Sequence, residues 1–173
     1  GGQGILTLGK LLCMSAMREG RTVTYLPSYG SEVRGGTCKC QVVIGAERIY
    51  CPLVDEPDSL IILNQESFEK FAGTLTPGGL LVVNTSAVEN AQVPGAEVLA
   101  FAAVDMAIEL GNILVANVMM LGAFVRATGL VSDESCREAL RELLGSRKAE
   151  LLNNNLQAFR KAAELFASGA RAS

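Results

Sequence analysis

Apolar residues Ile5, Leu8, Leu12 and Ala16 recur at the spacing of one helical face, and Gly20 stands where that helix should end. Val23 and Tyr25 then alternate as a short strand stopped by Pro27. Val42-Val43-Ile44 and Ile49-Tyr50-Cys51 read as a strand pair turning at Gly45-Ala46. Leu60-Ile61-Ile62-Leu63 and Leu80-Leu81-Val82-Val83 are continuous apolar runs, the pattern of strands covered on both faces. A short helix over 66–72 and a turn at Pro77-Gly78-Gly79 separate them, and residues 98–102 make one more strand. Strands and helices alternating in this way predict an α/β layered domain.

The second half reads as helical. Residues 113–125 are almost wholly apolar, broken only by Asn117, and thirteen or so residues are too few to span a bilayer. This is a buried helix, in the core of this chain or against another subunit. Ser132 can cap a helix over 133–144 that carries Cys136, Leu140, Leu143 and Leu144 on one face, with Gly145 at its end. Leu152, Leu156, Phe159, Ala163 and Phe166 form the stripe of a last helix. No linker, repeat or low-complexity segment interrupts the chain, so residues 1–173 read as a single domain.

Composition narrows the chemistry. Net charge is −3, tryptophan is absent and aromatics are 5%, which argues against a nucleic-acid surface. The charge is uneven: residues 1–50 hold six basic and three acidic groups, the remainder nine and fifteen. There is no histidine, which removes Ser-His-Asp and Cys-His catalysis and the common zinc sites. Of the five cysteines, Cys38 and Cys40 share a strand face while Cys13, Cys51 and Cys136 are scattered, and no C-x-x-C spacing occurs. The expectation is reduced, buried structural thiols in a cytoplasmic protein, with no catalytic residue and no metal ligand.

Two glycine-rich stretches lie in the basic third. Gly1-Gly2-Gln3-Gly4 opens the first helix, where bare backbone amides and the positive end of the helix dipole suit a phosphate. The run from Pro27 to Gly36, PSYGSEVRGG, sets Arg34 beside glycines that let a ligand or partner backbone approach. Two such loops at the ends of neighbouring elements read as one anion site.

These motifs carry a resemblance. GGQGxxxxGxxL, PSYGxExRGGT and a strand followed by Ile49 and Pro52 resemble the gamma subunit of the 2-oxoacid:ferredoxin (2-oxoacid:acceptor) oxidoreductases. Pro57-Asp58, Gly111-Asn112 with Asn117, Leu121-Gly122-Ala123, and Asn155-Leu156 with Ala158-Phe159 extend it over nearly the whole chain. The E-x-R-G-G-T form is most similar to the 2-oxoglutarate type. Members usually begin with a strand leading into the glycines, so the numbering is expected to start downstream of the natural N-terminus.

The resemblance implies a Rossmann-like three-layer sandwich with a mostly parallel or mixed sheet and a helical C-terminal half. It implies a non-catalytic subunit of an enzyme of anaerobic metabolism that uses thiamine diphosphate and iron–sulfur clusters to turn a 2-oxoacid into acyl-CoA, CO2 and reduced ferredoxin. Those cofactors would sit in the partners: alpha, beta and a ferredoxin-like delta subunit, with ferredoxin as acceptor and neither nucleic acid nor membrane involved. This chain would contact coenzyme A. Gly1, Gly2, Gln3 and Gly4 would cradle its phosphates, and Ser28, Tyr29, Gly30, Glu32, Arg34, Gly35 and Gly36 would form the second loop. Glu32 is suited to orienting Arg34 rather than meeting a phosphate, since like charges repel. Two other readings stay open. One is a structural subunit whose glycines only admit partner backbone. The other is a dinucleotide-binding domain, which Thr7 in place of the third glycine and Pro27 in place of a ribose-binding acid oppose.

Overall fold

The computed structural model describes residues 2–29, 37–145 and 149–166. In chain order the elements are α1 (Ile5–Arg18), β1 (Thr22–Tyr29), β2 (Cys38–Gly45), β3 (Ser59–Ile62), α2 (Gln65–Phe71), β4 (Leu80–Asn84), β5 (Glu97–Phe101), α3 (Ala103–Glu109), α4 (Ala116–Thr128), α5 (Asp133–Leu144) and α6 (Ala149–Leu165). Single 3-10 turns extend α2 over Ala72–Thr74 and lead into α4 over Ile113–Val115. This is the expected α/β architecture, with strands in the first part and helices in the second.

The described strands form two sheets, one parallel and one antiparallel, where one mostly parallel or mixed sheet was expected. β3, β4 and β5 run parallel in that order, and β1 pairs antiparallel with β2 over eight residues, from Thr22↔Gly45 to Tyr29↔Cys38. The apolar runs of β3 and β4 are covered on both faces, as their composition requires. Ile62, Leu81 and Val83 pack with Leu75, Val88 and Phe68 on one side. Val82, Leu63 and Leu99 join the larger core built from α1, α3, α4, α5 and α6 on the other.

Two local expectations are corrected. Pro27 does not stop β1; it pairs with Cys40 inside the ladder, which is tolerated because β1 bonds to one neighbour only. β2 takes β1 as its partner rather than residues 49–51. That segment is not a strand, and Tyr50 is exposed. The long β1–β2 ladder, covered on one face by α1, leaves β2 no need of a two-residue turn at Gly45. Helix α3, over Ala103–Glu109, was not among the expected elements.

The apolar run at 113–125 is core. From Ala116 to Val125 every residue of α4 is buried, Asn117 included. Gly122 lets α6 approach: a Cβ there would stand 2.5 Å from the carbonyl oxygen of Phe159. α5 lies against the end of α1. The Glu19 carboxylate accepts from Ser132 N at 2.7 Å and the Arg18 guanidinium meets Glu142 at 2.6 Å.

Candidate functional site

Gly4 is the N-cap of α1 and adopts a left-handed conformation, φ 76° and ψ 21°, which glycine alone takes without strain. Its carbonyl accepts twice, from Leu8 N and from Asn117 Nδ2, both at 3.0 Å. Asn117 therefore interrupts its apolar helix for a reason: it reaches from the first turn of α4 to the glycine loop. A Cβ on Gly4 would collide with the Asn117 amide. Gly2 is also left-handed, φ 85°, but an added Cβ would meet open space.

Gln3 is held from the sheet side. Its Nε2 donates to Leu63 O at 3.4 Å, and its Oε1 accepts from Asn64 Nδ2 at 2.6 Å. Asn64 also caps α2 by accepting from Ser67 N at 2.9 Å. Asn84, fully buried at the end of β4, donates to Leu63 O at 3.1 Å and accepts from Val104 N at the head of α3. Gln3 and Asn64 thus tie the loop to the carboxyl end of β3, Asn84 at the end of β4 shares the Leu63 carbonyl with Gln3, and Asn117 ties the loop to α4. The carboxyl ends of the strands are the edge at which open α/β sheets bind ligands.

At that edge the head of α1 suits an anion better than the heads of α2 and α3, which carry Glu66 and Asp105. α1 and α4 have no acidic residue in their first turns, whereas α2, α3, α5 and α6 each do. Among the described residues no carbonyl or side chain accepts from the amides of Leu6 and Thr7, the orphan donors of the first turn. The residues in place suit phosphate oxygens.

The described end of the β1–β2 hairpin lies on the same side. Tyr25 Oη donates to Leu6 O at 3.1 Å and Cys40 Sγ to Ile5 O at 3.6 Å, so the β1–β2 ladder runs beside the first turn of α1 and ends at Tyr29↔Cys38. At its exit, Thr37 Oγ1 lies 2.9 Å from Lys70 Nζ at the far end of α2. Helix α2 thereby spans the two loop neighbourhoods, bonded to Gln3 at one end and to Thr37 at the other. Ser28 is exposed, opposite Lys39 in the ladder. Gly1, Gly30, Glu32, Arg34, Gly35 and Gly36, and the side chain of Tyr29, lie outside the described residues.

Sequence reasoning singled out the glycines but missed Asn64, Asn84 and the role of Asn117. The available signals were a polar residue inside an apolar helix and polar residues directly after apolar strand runs. The thiols divide by environment: burial pushes Cys13, Cys40 and Cys136 up to about 11, while Cys51 is exposed, contrary to the expectation that all five are buried.

Residues 1–165 match the pyruvate ferredoxin/flavodoxin oxidoreductase family. The chain is 38% identical over 159 residues to the ketoisovalerate oxidoreductase subunit VorA of Methanothermobacter marburgensis, covering 91% of this chain and 33% of that protein. It thus spans about a third of the length of that relative. Its fold superposes with a TM-score of 0.84 on the crystal structure of the keto/oxoacid ferredoxin oxidoreductase gamma subunit from Geobacter sulfurreducens, at 30% identity over 98% of this chain and 95% of that one. It also superposes, at 0.87 and 24% identity, on the 2-oxoglutarate:ferredoxin oxidoreductase from Magnetococcus marinus, covering all of this chain and 30% of that one. The chain belongs to the pyruvate ferredoxin/flavodoxin oxidoreductase family and corresponds to its gamma subunit. The resemblance to the 2-oxoglutarate type in particular is not carried by these comparisons, which include a ketoisovalerate enzyme at higher identity.

Proposed function

We propose that this chain is the gamma component of a thiamine diphosphate-dependent 2-oxoacid:ferredoxin oxidoreductase that forms acyl-CoA, CO2 and reduced ferredoxin. Its glycine loop and the hairpin end beside it hold coenzyme A phosphates. The observation that carries this reading is Gly4 at the head of α1, left-handed, pinned by Asn117, with no acid in the first turn and with amides at Leu6 and Thr7 that have no acceptor among the described residues. The solved structure of the Magnetococcus marinus enzyme has 2-oxoglutarate, coenzyme A and succinyl-CoA bound, which supports coenzyme A as the ligand. Thiamine diphosphate and the iron–sulfur clusters are assigned to alpha, beta and delta partners, in a complex of the cytoplasm. For the 2-oxoacid, the E-x-R-G-G-T motif favours 2-oxoglutarate and the 38% identity to a ketoisovalerate subunit favours a branched-chain acid. Turnover with a panel of 2-oxoacids separates the two.

The test of the coenzyme A reading is made on the assembled complex. Arg34→Ala should raise the KM for coenzyme A about ten- to a hundredfold, the scale of one charge-assisted contact, and leave the KM for the 2-oxoacid unchanged. Gly4→Val should do so more severely. A complex that binds coenzyme A normally but dissociates on gel filtration would instead make these residues partner contacts, the structural-subunit reading.

A further inference from the structure

Two lysines from different elements converge on one aromatic ring at the exit of the second loop. Lys39 of β2 has its Nζ 5.3 Å from the centroid of Phe71, and Lys70 of α2 has its own 5.5 Å from the same centroid. Lys70 Nζ also meets Thr37 Oγ1 at 2.9 Å, and Lys39 pairs across the ladder with Ser28. Among the described residues neither ammonium has a carboxylate partner. Glu66 stands one helical turn before Lys70, at the spacing and in the orientation that best supports an ion pair, and the pair is not made. Two like charges against one ring repel each other, and an anion in contact with them offsets that cost.

The position of the pair relative to the glycine loop limits what the anion can be. Asn64 at the head of α2 is bonded to Gln3, and Lys70 follows six residues later, about 9 Å along the helix at its usual rise. Coenzyme A carries a 5′-pyrophosphate and a 3′-phosphomonoester on one ribose, one sugar ring apart. A pyrophosphate at the glycine loop leaves the 3′-phosphate within reach of a flexible lysine from the far end of α2. The compact ammonium suits a dianionic monoester, which needs charge more than a planar fork. We propose that Lys39 and Lys70, steadied by Phe71 and Thr37, form the subsite for the 3′-phosphate of coenzyme A, so that this chain distinguishes coenzyme A from thiols lacking that group. The inference rests on the coenzyme A reading above.

The experiment compares coenzyme A with 3′-dephospho-coenzyme A as acyl acceptor for the assembled complex. The wild type should prefer coenzyme A about tenfold or more in kcat/KM, the scale of a charge-assisted contact. Lys39→Ala/Lys70→Ala should bring that preference down to about twofold or less by raising the KM for coenzyme A and not that for the dephospho compound, while Lys70→Arg keeps most of it. Added KCl should weaken coenzyme A in the wild type more than in the double variant. A double variant with an unchanged preference overturns the subsite, as does one with equal losses for both thiols. So does one whose complex dissociates, which would make the lysines contacts for acidic groups of a partner. Gly4→Val separates the two readings. If it raises both KM values while the lysine variants move neither, the lysine subsite alone falls; if no variant affects coenzyme A, the coenzyme A reading falls with it.

Discussion

Gly4 faces two independent obstacles to any side chain, its φ of 76° and the Asn117 amide that occupies the place of its Cβ. The left-handed backbone costs an L-residue about 1–2 kcal/mol, and the collision adds to that. Asn117→Ala removes the collision and the two side-chain hydrogen bonds, to Gly4 O and from Val118 N, but leaves the backbone cost. Gly4→Ala/Asn117→Ala should therefore lose less stability in denaturant unfolding than the two single variants lose together, by about 1 kcal/mol, since contacting residues couple on that scale. Strict additivity would show that Asn117 does not crowd Gly4. The glycines were legible because a cluster of them at a helix start has few other uses. Asn64 and Asn84 were not, because their partners lie far along the chain, Gln3 sixty-one residues from Asn64 and Leu63 twenty-one from Asn84. Local patterning records that a residue is polar, not what it will meet.

At the scale of elements, α4 is buried on every side and its fit to α6 depends on Gly122 against the backbone of Phe159. A backbone carbonyl cannot swing away as a side-chain tip can. Gly122→Ala should cost about 1–3 kcal/mol, as overpacking does, despite the better helix propensity of alanine. Unfolding midpoints that rise in the variant would show that the two helices separate freely. The same contrast explains which elements could be read in advance. α1, α4, α5 and the parallel strands announce themselves by period or by unbroken apolar runs. The β1–β2 pairing does not: Val42-Val43-Ile44 has two apolar neighbours in sequence, and the choice of 22–29 over 49–51 depends on α1 covering the ladder, a tertiary contact. Pro27 misleads for a related reason, since its effect depends on whether its strand has one neighbour or two.

Across the whole molecule the exposed apolar residues are not spread evenly. Ile108, Ile113 and Leu114 stand exposed around the α3–α4 corner, with Leu114 at 71%, and Tyr50 and Leu53 lie exposed in the segment after β2. The apolar run over 113–125 was expected to be buried, in this core or against another subunit. Its helical part is core, and only the turn before α4 faces outward. That turn adjoins Asn117 and hence the glycine loop, so a partner seated on it would close one side of the candidate site. With a net charge of only −3 on 173 residues, long-range repulsion opposes association weakly. The isolated chain should therefore self-associate in a concentration-dependent way by light scattering, because several large apolar side chains stay wet in the monomer. Ile113→Ser/Leu114→Ser should shift that equilibrium toward monomer without changing the far-ultraviolet circular dichroism, since neither side chain belongs to the core. In the complex, the same double variant should weaken assembly before it alters the KM for coenzyme A of the complexes that remain. A strictly monomeric isolated chain at high concentration, joined by normal assembly of the variant, would mean that these side chains meet only water.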